Sequence, residues 1–151
     1  MGRRTGIFCV KIMTTMVQVT MTVEQARLQM RAMDLYMRIL MGQFDEISHL
    51  FLFFGEDGER FGRTSEDREY MEYYLKLLKQ CVYPTLEPNA SWGITGQPCP
   101  KEATIIYDMY KTMDNAISWH QNPKGGWTVN FDKPMHWYKE LPLPEVKVFE
   151  E

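Results

Sequence analysis

From Ala26 the apolar residues recur at Met30, Met33, Met37, Leu40, Phe44, Ile47 and Phe51, in alternating steps of four and three that keep one face of a helix apolar. Directly before them stands Thr22-Val-Glu-Gln25, a capping-box pattern in which Thr22 caps and Gln25 reaches back. The spacing predicts one continuous helix, roughly 40 Å long at 1.5 Å per residue. Gly42 lies off this seam, where a glycine costs about 1 kcal/mol against alanine and permits close backbone crossing. A seam of this length exceeds what a compact domain needs. It either packs wholly on helices of its own chain or lends part of its length to a second copy.

Gly55-Glu-Asp-Gly58 and Glu59-Arg-Phe-Gly62 interrupt the pattern, and Thr64-Ser65-Glu66-Asp67 restarts it with a cap and an acidic first turn. A second helix is predicted to about Tyr83, before Pro84, with Met71, Tyr74, Leu75, Leu78, Cys81 and Val82 as its apolar face and Glu72 paired with Lys76 in solvent. The two helices are expected to form an antiparallel hairpin. The proline-rich stretch 84–100 reads as a long ordered loop, with Pro100 placed as the first residue of a third helix. That helix carries Ala103, Ile106, Tyr110, Met113 and Ile117 on one face and ends near Asn122. After a turn at Pro123-Lys-Gly-Gly126, Trp127, Val129 and Phe131 alternate with polar residues as a strand, and a last strand spans 146–149. Residues 6–12 also alternate, as a third strand or within a partly ordered leader. The expected fold class is α+β: a long helical hairpin plus a third helix, packed with a small antiparallel sheet. It forms one domain over 21–151, preceded by a leader or extra strand at 1–20.

The chain of 151 residues is 44% hydrophobic, 25% charged and 13% aromatic, which is globular composition and excludes wholesale disorder. No apolar run approaches the length of a membrane span. The net charge of −3 leaves no electrostatic footprint for long nucleic acid or an anionic membrane, while binding of one small anion stays open. Lys11, Thr14 and Thr15 interrupt the apolar opening, so no export signal is read there. Cys9, Cys81 and Cys99 are an odd set without zinc or redox spacing, and they read as reduced thiols of a cytoplasmic protein.

The motifs of phosphate-binding loops, dinucleotide folds, zinc proteases and serine hydrolases are absent, so the chain is read as a non-enzyme that needs no cofactor or metal. The stronger signal is the clustering of all four tryptophans after Ser91, among amides and a Lys-Gly-Gly turn. Trp92 and Trp127 suit stacking of a planar base, Asn89 and Asn130 suit reading of its edge, and Lys124 with the amides of Gly125 and Gly126 suits a phosphate. The same residues also have a purely structural reading, with Trp119 and Trp127 in the core and Asn89 and Asn122 in turns. Arg60 and Arg63, around Phe61 and Gly62, add a second anion-binding candidate. Arg27, Arg31 and Arg38 share one face of the first helix. An enzyme would need His120, His136 and Asp132 to converge in one cleft.

The stretches Leu35-Tyr-Met-Arg-Ile-Leu-Met-Gly-Gln-Phe-Asp45, Pro88-Asn-Ala-Ser-Trp-Gly93 and Asn122-Pro-Lys-Gly-Gly-Trp-Thr-Val-Asn130 resemble those of small uncharacterised accessory proteins of phages and prophages. The resemblance implies an accessory protein of the anti-defence type in the host cytoplasm. Such a protein sequesters a nucleotide-like second messenger or clamps an immune protein. The function expected is sequestration of a small nucleotide-like ligand by a homo-oligomer. The alternative is a protein-binding inhibitor or assembly factor acting through its methionine-rich helix.

Overall fold

The computed structural model describes residues 15–52, 65–96 and 98–150. Among the described residues, four helices, α1 (Val23–Leu40), α2 (Glu46–Leu52), α3 (Ser65–Val82) and α4 (Lys101–Gln121), precede a single 3₁₀ turn at Val129–Phe131 and an extended C-terminal strap. The capping box forms as expected: Gln25 donates its N–H to Thr22 Oγ1 at 3.2 Å, and Thr22 donates to Gln25 Oε1 at 2.9 Å. Residues 1–14, and with them the possible strand at 6–12, lie outside the described residues. No described helix is long and apolar enough to cross a membrane.

The long first helix of the sequence reading is two helices. The chain leaves α1 in a Schellman turn, with the Gly42 N–H on the Ile39 carbonyl at 3.0 Å and the Gln43 N–H on the Arg38 carbonyl at 2.8 Å. Gly42 holds the left-handed φ of +86° that this turn requires. Arg38 then fixes the break, donating to Asp34 on its own helix at 2.8 Å and to Glu46 at the start of α2 at 2.7 Å. The heptad spacing passes through the break unchanged because Phe44, now in the turn, is itself buried.

The expected hairpin of the first two long helices is also corrected. The partner of α1 is α4, antiparallel to it: Arg27 near the start of α1 donates to Gln121 at the end of α4 at 2.6 Å. Ala26, Met30 and Ile117 form the buried center, with Met33, Tyr110, Met113 and Val148 packed around it. Ala103 on α4 is fully buried, a small residue at a packed position of the bundle. Met30 and Met37 of the methionine seam are buried in the chain's own core, with Met33 packed against it.

The α+β expectation fails at the C-terminus, for no strand occurs among the described residues. Residues 127–131 enter a 3₁₀ turn, and 132–150 run as a strap without ladder partners. Pro134, Pro142 and Pro144 offer no N–H to a ladder, and side chains of α4 supply bonds that a neighboring strand would give. Asp108, which is buried, accepts the N–H groups of Trp137 at 3.0 Å and Tyr138 at 2.8 Å. Asn115 donates to the carbonyls of Asn130 and Asp132, and Trp119 Nε1 donates to that of Phe131.

Candidate functional site

Where α1 ends, a cleft of about 540 Å³ opens between the turn into α2, one face of α3 and the loop from Pro88 to Ser91. The α3 wall carries Arg68, Glu72, Lys76 and Lys79, whose spacing sets them on one side of the helix. Gln43, Asp45, Glu46 and His49 form the opposite wall.

The floor is built by a buried lysine. Lys79 is only 4% exposed, and its ammonium donates to the carbonyls of Pro88, at 2.9 Å, and Ala90. Burial lowers its pKa below the usual lysine value, while the nearby Asp45 charge works to raise it. The same loop is anchored on α1, where Trp92 donates its backbone N–H to the Met41 carbonyl at 2.9 Å and Tyr83 its hydroxyl to the Leu40 carbonyl at 3.4 Å. Carbonyls at the end of α1, left without helical partners, are thus capped by the loop.

The acids of the cleft face cations of the same chain. Glu72 meets Arg68 at 2.7 Å, not Lys76 as the spacing had allowed. Glu46 takes Arg38 on one oxygen and His49 Nδ1, at 3.2 Å, on the other. Burial works against the Arg38 charge, but hydrogen bonds and attraction from Asp34 and Glu46 outweigh it and raise its pKa. Lys76 is exposed and joins no ion pair among the described residues. The same cleft is lined by the Asn89 amide and by the Ser91 hydroxyl, which accepts from Gln43 Nε2 at 3.4 Å. An ammonium, an amide and a hydroxyl in a cleft of this size suit a small polar molecule bearing an anionic group.

Of the residues singled out in the sequence, Asn89 lines this cleft. Trp92 stands behind it with its ring edge-to-face against Tyr83, centroids 4.6 Å apart, and Tyr83 in turn meets Phe44. It anchors the loop and presents no open stacking face to the cleft. Lys124, Gly125, Gly126, Trp127 and Asn130 follow the far end of α4, a helix of 21 residues and so about 30 Å long. The two halves of the predicted site do not meet within one chain. At the far half, the Gly125 N–H is held by the Asn122 carbonyl at 2.9 Å, the Asn130 carbonyl is taken by Asn115, and Trp127 projects fully into solvent. The negative end of the α4 dipole also disfavors a phosphate there.

Arg60 and Arg63 lie outside the described residues. The arginine row is divided, with Arg27 on Gln121 and Arg38 in the Glu46 network. His136 Nε2 sits against the carbonyls of Tyr138 and Leu141, and no metal-holding group of three or more acids, histidines or cysteines occurs among the described residues. Sequence reasoning missed Gln43, His49, Lys76 and Lys79. The signal that was present is the spacing of Arg68, Glu72, Lys76 and Lys79 along one face of α3, which reads equally as a solvated stripe. Comparison of the chain with protein-family models, curated proteins and solved structures finds no match.

Proposed function

We propose that the chain works by binding: the cleft between α2, α3 and the 88–91 loop holds a small nucleotide-like ligand bearing a phosphate or carboxylate, and withholds it unchanged. The observation that carries this reading is Lys76, a cation without an ion pair among the described residues, sharing a cleft of about 540 Å³ with Asn89 and Ser91. The volume lies within the range of small-molecule sites. The setting implied by the phage resemblance, sequestration of a messenger in a host cytoplasm, belongs to the same proposal. On this reading Lys76 holds the anionic group and Asn89 reads the polar edge, while Trp92 and Lys79 hold the floor in shape. Trp127 and Lys124 stand apart from the ligand.

The test is a thermal-shift screen of the purified protein against linear and cyclic nucleotides and ADP-ribose derivatives. A ligand at 100 times its dissociation constant adds about 2.7 kcal/mol, which a melting curve resolves. The expected result is a stabilizing hit that Lys76→Ala and Asn89→Ala abolish and Trp127→Ala leaves intact. Mass spectrometry of the released ligand then shows it unaltered. A flat panel, or a hit indifferent to Lys76 and Asn89, overturns the site, and a ligand returned in altered form overturns the non-catalytic reading.

A further inference from the structure

α3 turns Arg68, Glu72, Leu75 and Lys79 toward the cleft, with Lys79 buried at its floor, and holds its opposite face outward. That outward face holds Tyr70, Tyr73, Tyr74, Leu77 and Leu78, which are 43–64% exposed. Helix faces with this content are normally buried. We infer that this face is a dimer interface, on which α3 of one copy of the chain packs antiparallel against α3 of a second copy.

Three observations favor a second copy. The first is periodicity: Tyr70, Tyr73 and Leu77 fall in the three-four spacing of a helix-on-helix seam. The second is charge. Glu69 and Lys76, both exposed, stand one heptad apart on the same flank of that seam. A two-fold antiparallel pair brings like flanks together in opposite directions, so Glu69 of each copy meets Lys76 of the partner subunit. A parallel pair would set both charges against the opposite flank, beside Tyr74 and Cys81, and leave them unanswered. The third is area. At 150–250 Å² for each aromatic side chain, the exposed parts of the face sum to on the order of 600 Å², close to the ~800 Å² that each partner gives to a stable interface. A shallow concavity of about 440 Å³ between Glu66, Glu69, Tyr70, Tyr73 and Tyr74 receives Leu77 of the partner subunit in this arrangement. The inference rests on the tyrosine and leucine face of α3 and shares Lys76 with the ligand proposed for the cleft, so its test is run without ligand.

Sedimentation of the full chain at micromolar concentration, without ligand, tests it. The expected species is a dimer. Leu77→Glu, at an exposed position, is expected to give a monomer whose circular dichroism stays helical. Glu69→Lys or Lys76→Glu alone sets like charges across the interface and raises the dissociation constant about tenfold, and the double reversal restores dimerization. A monomeric full chain overturns the inference, as does a dimer that survives Leu77→Glu. A double reversal no tighter than the single variants overturns the antiparallel register.

Discussion

Gly42 turns the chain out of α1 at a φ of +86°, and a Cβ placed there would run into the Leu86 side chain. Alanine at this position meets both penalties. The left-handed backbone alone costs an L-residue about 1–2 kcal/mol, and displacing Leu86, itself buried, adds to it. Urea unfolding of Gly42→Ala is expected to show at least that loss. Lys79 acts differently, since its ammonium answers two loop carbonyls from a buried position. Lys79→Ala leaves both without that donor, at about 1–3 kcal/mol. Lys79→Met keeps most of the alkyl packing and is expected to lose nearly as much stability, which separates the hydrogen bonds from the stem. If Lys79→Met unfolds like the parent chain, the floor of the cleft does not depend on the ammonium.

Between elements, α4 does two jobs with two faces. Its apolar residues meet α1, and Asp108, Asn115 and Trp119 on another side hold the C-terminal strap by its backbone. Hydrogen bonds to a charged acceptor contribute about 1.5–3 kcal/mol, so Asp108→Ala is expected to lower stability by about that much. Hydrogen exchange reads the effect in place: the amides of Trp137 and Tyr138 lose protection while those within α1 and α4 keep theirs. Strap amides that stay protected in Asp108→Ala would show that other contacts hold this segment. The start of α1 and the limits of α4 are legible in the sequence because Thr22, Gln25, Pro100 and Asn122 signal them locally, whereas the end of α1 at Gly42 is not, because the apolar spacing runs on through it. The strap is not, because alternation of apolar and polar residues over 127–131 reads the same whether the backbone bonds to a strand or to side chains of a helix.

At the scale of the whole molecule, Asp114 on α4 contributes a pH dependence of stability. Burial raises its pKa above the usual carboxylate value, against the opposing pull of Lys111 and Arg27. The folded state thus holds this proton more tightly than the unfolded chain. The contribution to stability is full in acid and is lost as pH rises through the elevated pKa. Asp114→Asn removes the charge that must otherwise be buried. It is expected to melt above the parent chain at neutral pH, with the gap closing as pH falls through the carboxylate range. A gap that stays constant with pH would assign the effect to packing.

The sequence by itself determined the start of α1, the limits of α4 and the apolar faces of both. Each of these rests on interactions between residues near in the chain: a cap, a proline, a helical period. Tertiary structure decided that α1 pairs with α4, that Met30 and Met37 are interior, and that Trp92 anchors a loop while Trp127 stands beyond the far end of α4. Apolar periodicity states that a face will be covered and carries no address for what covers it. Two helices with matching stripes compete for α1. The one whose stripe carries alanine at a packed position and whose strap adds Val148 to the core holds it, which leaves the tyrosines of α3 facing outward.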